Sequence, residues 1–132
     1  MKTLTTKEDI ADLVNAFYAK IREDEMLGPI FNKHIAEDEW PPHLSKLTDF
    51  WEMKLLGGTQ FRGSPSQKHI DVDRASKHTI AQDHFAHWLQ LWLETIDENF
   101  TGPLAERAKA QARKMATGQY ISIWQNRPEN KT

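Results

Sequence analysis

His69 closes the run Phe61-Arg62-Gly63-Ser64-Pro65-Ser66-Gln67-Lys68-His69, a connector punctuated by glycine and proline between two long apolar segments. A neutral imidazole binds iron through one ring nitrogen and leaves the opposite face of the metal free. On a connector, such a side chain can enter a gap between helices where a flat apolar group could lie. A loop histidine is by itself more often solvated than ligating, so the weight falls on what else could line that gap. Tyr18 ends an apolar stripe and can bury its ring while aiming a hydroxyl into a cavity. Trp88 brings an indole N–H, a donor and nothing else. His43, one turn before Leu47, could flank the same space. From spacing alone, Tyr18 and Trp88 read more readily as core residues and His43 as an exposed cap.

Other chemistries find little support. The chain has no Gly-rich phosphate loop, no nucleophile elbow and no zinc-protease pair of histidines around a glutamate. It also lacks the repeated Glu-x-x-His pairs of a di-iron bundle. His84 and His87 stand three apart, close enough to share a metal with Asp83, although a solvated or capping role suits their flanks better. There are no cysteines, which excludes disulfides, thiolate sites and thiol catalysis and fits a reducing compartment. A net charge of −2 gives no reason to expect nucleic acid or an anionic membrane as a partner. Met1 to Ile10 lacks the apolar core of a secretion signal, and no stretch approaches the roughly 20 apolar residues of a membrane span. The expectation is a soluble, cytoplasmic protein.

The elements that must position these residues follow from periodicity and punctuation. With 132 residues, the chain reads as a single domain (1–132), with an ordered core over about 5–125 and a polar C-terminal tail. Thr5-Thr6-Lys7-Glu8 reads as a capping box. It opens a helix whose stripe is Ile10, Leu13, Val14, Phe17, Tyr18 and Ile21 and which fades around Asp24. Pro29-Ile30-Phe31 then puts two apolar side chains at a turn. Trp40-Pro41-Pro42 announces a second helix, since proline is accepted in a first turn. Down its side run His43, Leu47, Phe50, Trp51 and Leu55, and Leu56-Gly57-Gly58 ends it. Residues 59–77 are too irregular for one long helix. A third helix covers about Thr79 to Glu98, with Ile80, Phe85, Trp88, Leu89, Leu91, Trp92, Leu93 and Ile96 wrapping far around it, the mark of a central helix. Thr101-Gly102-Pro103 starts the last helix, carrying Leu104, Ala108, Met115, Ala116, Tyr120, Ile123 and Trp124. No segment alternates convincingly at period two. The fold class is all-α, and five tryptophans and six phenylalanines suffice both for its core and for the walls of a pocket.

In order and spacing, several pieces resemble the truncated haemoglobins, and among them the third group (P). They are Phe17-Tyr18, Leu27-Gly28-Pro29-Ile30-Phe31-Asn32, Trp40 with His43, Phe50-Trp51, Leu55-Leu56-Gly57, Gly63-x-Pro65-x-x-Lys68-His69 and Trp88-Leu89. The match runs from about Ile10 to Trp92. The resemblance implies a truncated globin fold, a two-over-two helical sandwich around one haem b. Its first helix would be minimal, and loop would replace most of the helix before the proximal histidine. It implies His69 as the proximal iron ligand and Phe31 as the ring packed on the porphyrin. Tyr18 and Trp88 become distal donors, and His43 takes the distal-histidine position. Leu47, Phe50 and Trp51 become pocket lining. The Gly57-Gly58 pair keeps only part of the glycine pattern of other truncated groups, which fits the third. Where relatives often carry a tyrosine before the Gly-x-Pro step, this chain has Phe61, which leaves Lys68 or Arg62 to meet a haem propionate.

On this reading the protein binds dioxygen, carbon monoxide, nitric oxide and, as further candidates, cyanide or peroxide. Two hydrogen bonds adding about 3 kcal/mol would slow oxygen release on the order of a hundredfold. That suits nitric oxide dioxygenase or peroxidase-like chemistry better than delivery, and such a cycle needs an unidentified reductase. The rivals are a non-haem metal protein built on His84, His87 and Asp83, and a helical interaction module presenting Trp-rich faces.

Overall fold

Thr6 opens the first helix, α1 (Lys7–Glu23), in a computed structural model that describes residues 1–57 and 82–125. The Thr6 hydroxyl accepts the Asp9 amide at 3.1 Å, and the Asp9 carboxylate accepts the Thr6 amide at 3.0 Å. The capping box expected at Thr5 and Glu8 is therefore displaced by one residue. Asp9 is the better partner because the Lys2 ammonium (2.7 Å) and the Thr5 amide (3.0 Å) already converge on its carboxylate, while Glu8 is exposed. The stripe Ile10, Leu13, Val14, Phe17, Tyr18 and Ile21 is buried as its spacing requires.

The turn expected at Pro29-Ile30-Phe31 is in fact a short helix, α2 (Gly28–His34). Asp24 sets it up. Its carboxylate accepts the amides of Met26 (2.9 Å) and Leu27 (2.8 Å), and its carbonyl accepts the Gly28 amide at 2.9 Å. Proline in the first turn costs nothing, because that amide would have no partner in the helix. Seven residues are too few to establish a period, so periodicity missed this element. A 3-10 turn at Glu37–Glu39 leads into α3 (Trp40–Leu56), which ends on Gly57 at φ 80°, a left-handed cap that glycine adopts without strain.

Helices α4 (Gln82–Asn99) and α5 (Pro103–Gln125) complete the described chain. Among the described residues, the one departure from an all-helical expectation lies between them and the N-terminus. A two-residue parallel bridge pairs β1 (Lys2–Thr3) with β2 (Phe100–Thr101), too short for alternation to register.

Helix α1 packs on both α3 and α4, α4 packs on α5, and α3 closes against α5. Two helical pairs thus face each other, with Trp92 and Ile96 of the central α4 fully buried. Helix α5 meets α4 through Ala105, Ala108, Ala112 and Ala116, all buried at i, i+3 and i+4 spacing. Such small side chains let Trp92 approach closely enough for its indole N–H to donate to the Ala108 carbonyl at 3.2 Å. The expected stripe had Ala108 and Ala116 but not Ala105 or Ala112, and its Leu104 and Met115 are only half-buried. No helix among the described residues is long and apolar enough to cross a membrane.

Candidate functional site

Where α1 crosses α4, Phe17 and Tyr18 meet Trp88 and Trp92. The Phe17 ring stands edge-on to Trp88 (5.6 Å between centroids) and to Trp92 (4.9 Å). Trp92 lies nearly parallel to Trp88 (6.2 Å, 3°) and stacks on Trp51 of α3 (4.5 Å, 21°). Trp88 is thereby braced from behind by a column of rings.

The Trp88 indole also lies beside Tyr18, close enough to influence its phenol. Indole nitrogen has a proton to give and no lone pair to offer, so Trp88 can act on Tyr18 only as a donor towards its oxygen. Burial pushes this phenol up to about 12, against the smaller opposing pull of the nearby Trp88 indole. At neutral pH Tyr18 is therefore a protonated, buried donor.

Around Tyr18 the remaining wall is aromatic. Phe31 of α2 lies 6.0 Å away, and Trp40 and His43 of α3 lie at 5.9 and 6.2 Å between ring centroids. Trp40 and His43 also meet each other at 5.6 Å, and the Arg22 guanidinium covers the Trp40 ring at 4.8 Å. Phe31, Leu47 and Trp88 are half-buried against the core, whereas Phe50 and Trp51 are buried within it.

The structure thus brings Tyr18, Trp88, Phe31 and His43 into one cluster. His69, Lys68 and Arg62 lie outside the described residues. A cleft of about 530 Å³, edged by Arg22, Glu23, Asn32 and Glu37, shares Trp40 with this cluster but contains none of the expected site residues and mixes both signs of charge.

The metal site imagined on His84, His87 and Asp83 does not form. Among the described residues no group of three or more His, Cys, Asp or Glu side chains could hold an ion. His87 turns instead to Asp24, with Nε2 2.6 Å from Oδ1. Partial burial pushes the Asp24 carboxyl up, but the hydrogen bonds from His87, Leu27 and Met26 outweigh it and leave the group below its ordinary value. Sequence reasoning missed Asp24, Arg22 and Trp40 as neighbours of the cluster. Asp24 had a signal: an aspartate just before Leu27-Gly28-Pro29 is where a side chain commonly caps a turn. Its pairing with His87, 63 positions away, had none.

No family model matches the chain. The group 3 truncated hemoglobin of Campylobacter jejuni is 39% identical over 93 residues, which cover 69% of this chain and 69% of that protein. The crystal structure of a group III truncated hemoglobin from Campylobacter jejuni superposes with a TM-score of 0.82 at 32% identity, over 93% of this chain and 95% of that one.

Proposed function

The chain belongs to the group 3 truncated haemoglobins, and we propose that it is a haem b protein binding dioxygen and other diatomic ligands on its Tyr18 side. Its fold is the truncated globin fold. In this reading His69 is the proximal ligand and Phe31 packs on the porphyrin. Leu47, Phe50 and Trp51 belong to the pocket lining and the core behind it, and His43 stands at the pocket entrance. Lys68 or Arg62 would meet a propionate.

One observation carries the reading: the Tyr18 phenol is buried and protonated within a cluster formed with Trp88, Phe31 and His43. The half-buried Phe31, Leu47 and Trp88 also suit a flat apolar group, because each keeps part of a large apolar surface uncovered by the core. Ferrous haem, when bound, supplies an iron with one position open to a diatomic gas. The chain's part is to wall that space with aromatic rings and to present one donor to a guest that gathers negative charge.

Such a donor holds its guest, and holding suits chemistry better than delivery. We therefore read the physiological use as reaction with nitric oxide or peroxide in the cytoplasm, with electrons from a separate reductase. Absorption spectra of the ferric, ferrous and carbonyl forms, for the wild type and for His69→Gly, test the haem reading. A strong Soret band in the wild type and altered bands in the variant are expected. Identical bands in both would remove His69 as the ligand, and a wild type that stays colourless with hemin would overturn the haem reading itself.

A further inference from the structure

We propose that Asp24 and His87 form a positioning pair that sets the Trp88 indole against Tyr18; the proposal rests on the pocket reading above. Asp24 stands at the corner between α1 and α2, and its two carboxylate oxygens serve different elements. One accepts the amides of Met26 and Leu27 and so shapes the entry into α2. The other meets His87 Nε2 of α4 at 2.6 Å. This contact is a hydrogen bond whether the imidazole is neutral, donating its Nε2–H, or protonated, and a carboxylate partner makes it a strong one.

The neighbours of this pair are the reason it matters. His87 immediately precedes Trp88, so fixing its side chain fixes the turn of α4 that carries the indole. Asp24 lies three residues beyond Ile21, the last buried residue of the α1 stripe that holds Tyr18. Beyond Asp24, α2 carries Phe31, the ring that faces Tyr18 at 6.0 Å. A single carboxylate therefore joins the three elements that supply Tyr18, Phe31 and Trp88. The corner has no slack with which to compensate, since Gly28 is so close to α1 that a Cβ there would sit 2.8 Å from the Arg22 carbonyl oxygen. Asp24 and His87 touch neither Tyr18 nor the guest space in any contact described above. They act through Trp88.

Hydrogen exchange of the indole N–H groups of the full chain, followed by NMR with and without added hemin, tests this directly. Trp92 supplies the internal reference, because its N–H is held by the Ala108 carbonyl in the core, away from the pair. His87→Ala is expected to speed exchange at Trp88 about tenfold relative to Trp92, the order of one lost charge-assisted hydrogen bond. His87→Gln, which can still present an N–H to Asp24, is expected to restore the wild-type ratio. In the hemin-loaded carbonyl form, His87→Ala should also broaden or split the C–O stretch, which reports the polarity around the gas. Equal acceleration at Trp88 and Trp92 would show a merely structural role and overturn the proposal, as would an unchanged ratio. Should Asp24→Asn and His87→Ala differ in the direction of their effect on the ratio, the pairing is also refuted. Failure of the wild type to take up hemin would sink the haem reading alone, since the indole ratio is measured without it as well.

Discussion

Tyr18 joins protein stability to ligand chemistry in one hydroxyl. Its phenol ionises near 12 in the fold against an ordinary value of 10.0, because burial penalises the phenolate. Between those values the folded chain binds more protons than the unfolded one, so stability is complete below pH 10 and falls as pH rises towards 12. The full loss amounts to roughly 2–3 kcal/mol, at 1.36 kcal/mol for each unit. Denaturant midpoints measured from neutral to strongly alkaline pH should therefore fall more steeply in the wild type than in Tyr18→Phe. The same substitution tests the site. One hydrogen bond to a guest that gathers charge contributes about 1.5–3 kcal/mol, so oxygen release from Tyr18→Phe should be faster by roughly tenfold or more. Trp88→Phe, which removes the second donor of the cluster, should also speed release. Stopped-flow release rates for the two variants measure the share of each donor, and an unchanged rate in Tyr18→Phe would refute its part in holding the guest.

The short helix α2 shows how one glycine can set the position of a pocket wall. The methyl of Gly28→Ala would meet the Arg22 carbonyl oxygen at 2.8 Å, and backbone cannot yield as a flexible side chain does. Overpacking of this kind costs about 1–3 kcal/mol, which thermal unfolding would show as a lowered Tm. Thr6→Ala, which removes the α1 cap, should cost about 0.5–2 kcal/mol by the same measurement. Both features bear on how far the sequence could be read. Helices α1, α3 and α5 were legible because each has long periodicity and clear punctuation: a threonine cap, proline in a first turn, or glycine at an end. Helix α2 was not, because its first turn is organised by a side chain lying before it, Asp24, rather than by any period. Within the candidate site, Tyr18, Trp88, Phe31 and His43 were legible as an ordered set of residue types. The Asp24–His87 contact was not, since it depends on how α1 and α4 cross.

At the scale of the molecule, the N-terminal residues act as a strap across the ends of three helices. Leu4 is buried, and its amide donates to the Thr101 carbonyl at 3.1 Å, continuing the bridge of Lys2–Thr3 with Phe100–Thr101. The strap thus ties the start of α1 to the corner between α4 and α5, the far end of the same two helices that hold Tyr18 and Trp88. Its fastening is the Asp9 carboxylate, which gathers the Lys2 ammonium, the amides of Thr5 and Thr6 and the Thr5 hydroxyl. The Lys2 contact foremost, then the two amides, holds this carboxyl well below its ordinary 3.8. A depressed carboxyl stabilises the fold above its unfolded value, and that contribution is lost as pH falls through the lower folded value. Asp9→Asn should therefore lower the Tm at neutral pH, yet leave a shallower dependence on acid, so that the two proteins converge as pH drops below about 3.8. Other carboxylates titrate equally in both, so the difference between the two curves isolates Asp9. Parallel curves across the acid range would mean that the strap is fastened by Leu4 burial and backbone pairing alone.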